Sequence, residues 1–366
     1  MKRFINSVKN QLLILFFSLW HRVVKKESPE RYGKARILIV TTTALGDTLW
    51  ATPALRALRS TYPEAFIGVL TSPIGFSILK NQPGINTLFL LPDQLLLSFF
   101  SLRKKLLACH FDTILVFHAS QRLILPLSAS LGASRIIGTK GLNKGLDALL
   151  TEAIAWKKGH EIERRMDLIR RVDADGADLS LSYIPTAEEK RAAEKLLEQH
   201  QIDLSQTIIA LHPGAKDHYK CWPKEHFMAL GKGLKKELSC QILITGGPDE
   251  ASLAQEVAAA IPGAVSFSEP LPFRAFAAVL ARMALVIAND TGPMHLALAM
   301  QVPVVALFAP TDPAVCGPLH AAKVALIAKP RTCTPCLRRK CRDPFCLLQI
   351  APEEALHEAL KLLLKK

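Results

Sequence analysis

Residues 285–312 contain the pattern that most strongly limits how this chain can fold. A β-branched run at residues 285–287 leads into the polar turn Asn-Asp-Thr-Gly-Pro at 289–293, a short apolar helix at 294–299 and a buried strand at 302–307. A strand, a polar turn, a helix and a strand in this order form half of a parallel α/β sheet. Ligands bind beyond the carboxyl ends of the strands in open α/β folds, so this turn is a candidate binding site.

The chemistry of the turn suits an anion. Thr291 and Gly292 would offer backbone N–H groups at a helix N-terminus, whose partial positive charge attracts phosphate. His295 lies about one helical turn further on and can face the same ligand. An ordinary Asx-type turn, capped by Asp290 or Thr291, explains the same residues, and spacing alone leaves both interpretations open.

The same alternation of strand and helix runs through the rest of the chain. In the first half, the pattern predicts strands at residues 35–40, 66–70, 87–91, 113–117 and 135–138 and helices at 48–60, 94–108 and from 121. In the second half, it predicts strands at 207–211, 241–245 and 264–267 and helices at 224–238, 251–260 and 272–281. A length of 366 residues favours two domains. We therefore predict an α/β protein with two doubly wound domains.

Helices at both ends and in the middle complete the organisation. The charged helix predicted at 185–200 is expected to face solvent and to mark the junction between the domains. An amphipathic helix at 352–366 is expected to pack back on one of them. The predicted parts are an N-terminal helix in residues 1–34, α/β domains in 35–185 and 186–346, and a C-terminal helix in 347–366.

Three strand-end loops of the second domain, at residues 212–222, 245–250 and 289–295, carry small and polar residues. A parallel sheet brings such loops to the same edge, and together they indicate a nucleotide-diphosphate site. Lys220, expected to be unpaired, would neutralise phosphate charge, whereas Trp222 suits the core as well as a stacking surface. The predicted donor-binding residues are His212, Gly214, Lys220, Thr245, Gly246, Asp290, Thr291, Gly292 and His295.

Asp47 is the candidate catalytic residue of the first domain. It follows the first predicted strand, at the end of a polar loop, and opens a helix, where the positive end of the helix favours an ionised carboxylate. Capping of that helix is the ordinary alternative. The strand is not followed by a G-x-G-x-x-G motif, so a dinucleotide cofactor is not expected here.

Charge is spread unevenly along the chain. Residues 1–185 contain 25 Lys and Arg against 14 Asp and Glu, whereas residues 186–366 contain 21 against 18. The first domain is therefore the likelier one to meet an anionic partner, such as phospholipid or a phosphorylated glycolipid. Nucleic acid is not expected, because aromatic residues are few and the sequence has no recognisable nucleic-acid-binding motif.

Residues 1–26 contain a central apolar run, with basic residues on both sides of it. The run is too short to span a bilayer, and no small-residue cleavage site of a signal peptide follows it. An interfacial helix on an anionic membrane fits best, with Trp20 at the headgroups, and a helix packed on the protein's own surface is the alternative.

The cysteines fall into two groups. Four are scattered singly, as expected for reduced thiols in a cytoplasmic protein. The other four are clustered, at Cys333, Cys336, Cys341 and Cys346. This cluster could hold zinc, although a second C-x2-C pair is missing, and disulfides or free thiols are the alternatives. The sequence has no Asp-x-Asp pair of the sort that would hold a divalent ion on a diphosphate, so a catalytic metal is not expected.

Several motifs together resemble the ADP-heptose:lipopolysaccharide heptosyltransferases, glycosyltransferase family 9. The matching segments, in chain order, are residues 44–48 and 51–55, His-Pro-Gly-Ala at 212–215, Lys-Cys-Trp-Pro at 220–223, Gly-Gly-Pro at 246–248, 289–295, 303–308 and 310–313. The resemblance covers residues 35 to about 346, and the cysteine cluster is similar to one in many members. The N-terminal helix lies outside it.

The resemblance implies a GT-B fold, in which two Rossmann-like domains face a cleft and no metal or other cofactor is required. It implies inverting transfer of heptose from ADP-heptose to inner-core lipopolysaccharide, on a lipid A–Kdo acceptor at the cytoplasmic face of the inner membrane. Asp47 matches the family's general base, Lys220 its diphosphate contact, and Asp290, Thr291, Gly292 and His295 its donor-binding turn. A related nucleotide-sugar transferase or epimerase, or a non-catalytic nucleotide-sugar binding protein, is the alternative.

Overall fold

The computed structural model describes residues 2–23, 33–268, 270–341 and 345–364. By its contacts the chain divides into two compact units, unit 1 (Met1–Leu179) and unit 2 (Ser180–Lys366). In the described part of the chain each unit contains one sheet of six parallel strands with helices connecting them. The prediction of two doubly wound α/β domains is confirmed.

The sheet of unit 1 has the strand order β3-β2-β1-β4-β5-β6. The strands are β1 Arg36–Thr41, β2 Phe66–Thr71, β3 Thr87–Leu90, β4 Thr113–His118, β5 Arg135–Thr139 and β6 Glu152–Ile154. The helices are α1 Lys2–Val23, α2 Leu45–Leu49, α3 Thr52–Thr61, α4 Pro73–Leu79, α5 Leu95–Leu107, α6 Ile124–Ala129 and α7 Glu161–Arg170. The central strands are buried on both faces, which explains their continuous apolar runs.

The sheet of unit 2 has the order β12-β11-β10-β7-β8-β9. Its strands are β7 Thr207–His212, β8 Cys240–Thr245, β9 Val265–Phe267, β10 Leu285–Asn289, β11 Val304–Phe308 and β12 Val324–Ala328. Its helices are α8 Ala187–Gln199, α9 Lys224–Glu237, α10 Ala251–Ala259, α11 Phe273–Leu280, α12 Gly292–Ala299, α13 Pro313–Cys316, α14 Phe345–Leu348 and α15 Pro352–Leu364.

In both sheets, the direction in which successive strands are added reverses at an equivalent place. In unit 1 the chain runs outward from β1 to β3 and then returns to place β4 on the other side of β1. In unit 2 it runs outward from β7 to β9 and returns to place β10 beside β7. Each pair of central strands is a topological switch point, where the loops at the carboxyl ends diverge and leave a crevice for a ligand.

The single helix predicted at residues 48–60 is wrong. Two helices, α2 and α3, replace it, because Pro53 in the first turn of α3 has no N–H to continue a hydrogen-bond ladder from α2. Asp47 therefore lies within a helix and not at the end of a loop. Helices α4 and α7 and the edge strands β6 and β12 were not predicted.

The helices outside the two sheets pack on their own units. Helix α15 lies on α9, where the Leu356 side chain approaches Gly233, as expected of a C-terminal helix that packs back. Helix α8 is not simply solvent-facing, because Ala193 and Leu197 are buried and Glu189 pairs with Arg274 of α11. Helix α1 packs one face on unit 1 through buried Phe17. In the ranges described above, no helix has both the length and the apolar character needed to cross a bilayer.

Candidate functional site

Asp47 lies in the first turn of α2, directly beyond the carboxyl end of β1. Its Oδ2 atom accepts a hydrogen bond from the Ala44 backbone N–H at 3.4 Å, so it caps the helix that it belongs to. Its Oδ1 atom accepts a hydrogen bond from Arg165 Nη2 at 3.2 Å. About one fifth of the Asp47 side chain is exposed, which leaves the carboxylate accessible to a ligand.

Arg165, on α7, is the buried cation of this site, with its side chain only 2% exposed. Its Nη1 atom donates to Glu161 Oε2 at 2.8 Å, and its guanidinium lies over the Trp50 ring at 5.6 Å. One buried guanidinium is therefore shared between the Asp47 and Glu161 carboxylates. Such a pairing fixes the position of the Asp47 carboxylate.

His118 ends β4, the strand beside β1 at the switch point of unit 1. Its backbone carbonyl accepts hydrogen bonds from the Thr42 N–H and hydroxyl, each at 3.2 Å, which joins the two strand ends. The Nδ1 atom is buried and has no hydrogen-bond partner among the described residues. Burial lowers the pKa of His118, and the nearby Asp47 carboxylate opposes this only in part. His118 is therefore a neutral imidazole close to the carboxylate.

In unit 2, Asn289 organises the loop that follows β7. It is fully buried at the end of β10, and its Nδ2 atom donates to the carbonyls of Pro213 at 2.9 Å and Gly214 at 3.2 Å. Its Oδ1 atom accepts from the Trp222 N–H at 2.9 Å. One side chain thus fixes both ends of the loop that carries Lys220.

Lys220 forms an ion pair with Asp290, with Nζ 2.6 Å from Oδ2. The expectation that Lys220 is an unpaired base in a Gly-rich loop is therefore wrong. Burial tends to lower the pKa of Lys220, but the Asp290 carboxylate outweighs it and the pKa is raised. His295 Nε2 lies 3.8 Å from the other oxygen of Asp290. Two of the predicted residues, Lys220 and His295, thus lie beside the carboxylate of a third, Asp290.

His212 and Thr245 meet at the ends of β7 and β8. His212 Nδ1 and Thr245 Oγ1 are 3.0 Å apart, and burial lowers the pKa of the imidazole. His212 Nε2 lies 3.7 Å from Glu250 Oε2, and the same oxygen accepts the Gly247 N–H at 2.8 Å. A Cβ atom on Gly214 would lie 2.2 Å from the Glu250 carboxyl group. A residue without a side chain at position 214 therefore gives the Glu250 carboxyl group the space that it occupies.

The N-terminus of α12, where the sequence predicts an anion site, has no side-chain cap. Thr291 is the N-cap residue in an extended conformation, and its side chain makes no capping hydrogen bond. Gly292 begins the helix and Pro293 follows it without an N–H. A Cβ atom on Gly246, after β8, would lie 3.2 Å from Glu250 and 3.4 Å from Ala254. Thr291 and Gly292 directly follow Asp290, the partner of Lys220.

The structure thus brings the predicted residues of unit 2 to the carboxyl edge of one sheet, and Asp47 to the corresponding edge of the other. Four polar residues of these sites were missed: Glu161, Arg165, His118 and Glu250. The signals were present in the sequence, since Glu161 and Arg165 are spaced i, i+4, His118 follows a buried strand and Glu250 ends a Gly-Gly-Pro turn.

Trp222 belongs to the core of unit 2 and is not a stacking surface. It is 1% exposed, lies edge-on to Phe227 and donates its Nε1–H to the Ile350 carbonyl at 3.0 Å. Of the two interpretations of Trp222, the one that places its ring in the core is confirmed.

The clustered cysteines line a cavity of about 410 Å³ in unit 2, with Tyr219 and Phe345. No disulfide bond joins any two of the eight cysteines, all of which lie in the described ranges. Within the described ranges no three His, Cys, Asp or Glu side chains are grouped so that they could hold a metal ion. Burial raises the pKa of Cys346, and the neighbouring Cys336 and Cys341 raise it further.

Comparison with known proteins identifies relatives with the same organisation. The model of glycosyltransferase family 9 (heptosyltransferase) matches residues 99–345. Lipopolysaccharide heptosyltransferase 3 of Escherichia coli is 25% identical over 283 residues, which cover 73% of this chain and 81% of the relative.

Two solved structures share the fold. A family 9 glycosyl transferase from Veillonella parvula has a TM-score of 0.79 at 20% identity, covering 91% of this chain and 98% of its own. ADP-heptose lps heptosyltransferase II of E. coli has a TM-score of 0.75 at 22% identity, covering 90% and 99%. The predicted GT-B class, with two Rossmann-like domains, is confirmed.

Proposed function

The chain belongs to glycosyltransferase family 9, the heptosyltransferases, and from this premise we propose that it transfers heptose from ADP-heptose to the inner core of lipopolysaccharide. The observation that carries the proposal is the cluster of Lys220, Asp290 and His295 beside the N-terminus of α12. It offers positive charge and backbone N–H groups at a sheet edge suited to a nucleotide diphosphate. The lipopolysaccharide heptosyltransferases among its relatives support the choice of sugar and acceptor.

In the proposed donor complex, Lys220 and the α12 N-terminus bind the diphosphate. An ammonium group has three N–H donors, and Asp290 takes one of them, so two can reach phosphate oxygens. The charge on Lys220 and the helix dipole then stabilise the negative charge that grows on ADP as it leaves. His212, Gly214, Thr245 and Gly246 shape the same edge and complete the proposed donor site.

In the proposed reaction, Asp47 is the general base of a single, inverting displacement. The acceptor hydroxyl attacks the anomeric carbon of heptose, its proton moves to the Asp47 carboxylate, and the bond between the sugar and ADP breaks. Arg165 holds one Asp47 oxygen in place, while one fifth of the side chain stays accessible to the acceptor. A positioned carboxylate of this kind contributes a factor of about 10² to 10⁴ to the rate.

The proposed acceptor is the lipid A–Kdo part of lipopolysaccharide, at the cytoplasmic face of the inner membrane. Its phosphate and carboxylate groups match the excess of basic over acidic residues in residues 1–185. Helix α1 would attach the enzyme to the anionic membrane surface, since it has basic residues near both ends and no Asp or Glu.

Product analysis tests the proposal. Wild-type protein is incubated with ADP-heptose and heptose-free lipid A–Kdo, and we expect a product larger by one heptose with inverted anomeric configuration. Transfer from UDP-GlcNAc but not from ADP-heptose would favour a related transferase, and absence of turnover with every donor would favour a binding protein.

Replacement of Asp47 tests the general base. Asp47→Asn keeps the shape and one oxygen for Arg165 but removes the basic group, so we expect kcat to fall about 10²-fold or more. Asp93→Asn removes an exposed carboxylate from a neighbouring loop of unit 1 and serves as the matched control. Full activity of Asp47→Asn would reject the assignment.

A further inference from the structure

Helices α1 and α5 lie side by side on unit 1. The rings of Phe17 and Phe99 are 5.9 Å apart. Three residues further along α1 and four further along α5, the Arg103 guanidinium lies over the Trp20 ring at 5.1 Å. Both contacts advance in the same direction along the two helices, so the helices run parallel. Phe17 and Phe99 are buried in the core beneath them.

The outward faces of this pair are apolar. On α1, Leu12, Leu15, Phe16, Leu19 and Val23 are 53–83% exposed, and on α5, Leu96, Leu97 and Phe100 are 72–80% exposed. The spacing of Leu12, Phe16, Leu19 and Val23 places them in one stripe along α1. Leu96 and Phe100 share a stripe of α5 with Arg103, which contacts α1. We call these eight side chains the α1–α5 apolar surface; as a group they exceed the singly scattered apolar residues of ordinary protein surfaces.

The charge of the two helices is of one sign. Their sequences contain seven Lys and Arg and no Asp or Glu. Exposed Lys9 and Arg22 lie toward the two ends of the α1 stripe, and exposed Lys104 and Lys105 follow the α5 stripe. A surface that combines large apolar side chains with basic residues and lacks acidic ones is complementary to the anionic headgroups and acyl chains of a bilayer.

We propose that the α1–α5 apolar surface rests on an anionic lipid bilayer, and that α5 supplies the second half of the membrane contact. The inference deepens the proposed function, on which it rests for the membrane location. Neither helix is long and apolar enough to cross a membrane, so the contact is interfacial: leucine and phenylalanine side chains enter the headgroup region, and the lysines contact lipid phosphates.

Topology places this contact next to the edge of unit 1 that carries Asp47. Strand β3 ends at the carboxyl edge of the sheet, so α5 begins at that edge, with Leu96 and Leu97 in its first turn. The α2 helix that carries Asp47 follows the same edge. A bilayer under α5 would hold a lipid-anchored acceptor close to the edge where its hydroxyl must be deprotonated.

Vesicle co-sedimentation of the full chain tests the inference. Vesicles of phosphatidylethanolamine and phosphatidylglycerol are compared with vesicles of phosphatidylcholine alone. We expect wild-type protein to bind the anionic vesicles, and high salt to weaken the binding. The double variant Leu97→Gln, Phe100→Gln on α5 and the double variant Leu12→Gln, Leu19→Gln on α1 should each lower the partition coefficient about tenfold or more. The matched control, Leu348→Gln with Leu364→Gln, changes equally exposed side chains of unit 2 and should bind as wild type does.

Several results would overturn the inference. Wild-type protein that does not bind anionic vesicles is one, and an α5 double variant that binds them as tightly as wild type is another. A wild-type dimer that the α5 variant dissociates, without vesicle binding, would make the surface an interface between copies of the chain. Transferase activity is measured in parallel with an acceptor that lacks acyl chains. Absence of activity in protein that still binds vesicles would reject the proposed function and leave the membrane contact standing.

Discussion

At the scale of single residues, the charge of Arg165 dominates the site in unit 1. A buried ion pair gains little over an apolar replacement of both partners, but removal of one partner leaves the other without compensation. Arg165 has two carboxylate partners, Asp47 and Glu161, and each is only about 20% exposed. The Asp47 and Glu161 carboxylates therefore both depend on the Arg165 guanidinium for compensation of their charge.

We therefore predict that Arg165→Met lowers the free energy of unfolding by about 2–4 kcal/mol. Urea denaturation followed by circular dichroism measures it. Arg170→Met, on the same helix, is the control: Arg170 pairs with partly exposed carboxylates, and its loss should cost less than about 1 kcal/mol. Equal losses in the two variants would contradict the role given to Arg165.

The buried His212 and the partly buried His118 predict a loss of stability in acid. Burial lowers the pKa of both His118 and His212, so the folded protein keeps them neutral, whereas the unfolded chain takes up protons below about pH 6.5. The contribution of the two neutral histidines to the free energy of unfolding is complete above that pH. Below it, the contribution falls by up to about 1.4 kcal/mol per histidine for each pH unit.

Urea denaturation at pH 7.5 and 5.5 measures this loss. We expect His118→Gln to reduce the difference between the two pH values by about 1 kcal/mol. His357→Gln replaces an exposed histidine of α15 and should leave the difference unchanged. If the change in the free energy of unfolding between the two pH values is the same in wild type and His118→Gln, then folding does not change the pKa of His118.

At the scale of elements, the loop between β7 and α9 depends on a side chain from β10. Asn289 makes three hydrogen bonds to this loop, and water cannot replace them because the side chain is fully buried. We predict that Asn289→Ala lowers the free energy of unfolding by about 2–3 kcal/mol and weakens ADP binding about tenfold, since the loop carries Lys220.

Calorimetric titration with ADP separates the two effects of this change. Asn143→Ala is the control, because Asn143 is also buried and makes two hydrogen bonds, but in unit 1. It should lose stability and keep the affinity for ADP. Wild-type affinity in Asn289→Ala would mean that the loop does not form part of the donor site.

The elements that the sequence predicted are those in which local pattern and burial agree. Strands such as β7 and β10 are continuous apolar runs because they are buried on both faces. Helix α7 was missed because six of its ten residues are charged, among them the buried Arg165, and such a segment reads as solvent-exposed. Strands β6 and β12 lie at sheet edges, and β6 is only three residues long. Their pairing depends on neighbours that are distant in sequence.

The site shows the same division. The segments that carry Asp47, Lys220 and Asp290 follow predicted strands, and parallel topology brings such segments to the same edge of each sheet. The partner of each side chain could not be predicted, because Asp47 and Arg165 are 118 residues apart and Lys220 and Asp290 are 70 apart. Contacts of that separation follow from packing and leave no local periodicity.

At the scale of the whole molecule, the two units repeat one strand order, and the candidate site residues of each unit lie at its own switch point. Each unit also has its own buried core, so each can respond to its own ligand. The four tryptophans report on them separately, since Trp20, Trp50 and Trp156 lie in unit 1 and Trp222 lies in the core of unit 2.

We predict that ADP stabilises unit 2. A ligand that binds only the folded state at 100 times its dissociation constant adds about 2.7 kcal/mol to the free energy of unfolding. In a chain with Trp20, Trp50 and Trp156 replaced by Phe, urea denaturation followed by Trp222 fluorescence should shift by this amount. In Trp222→Phe, whose fluorescence reports on unit 1, the shift should be smaller. A shift confined to the Trp222→Phe chain would place the nucleotide on unit 1 and reject Lys220 and the α12 N-terminus as its site.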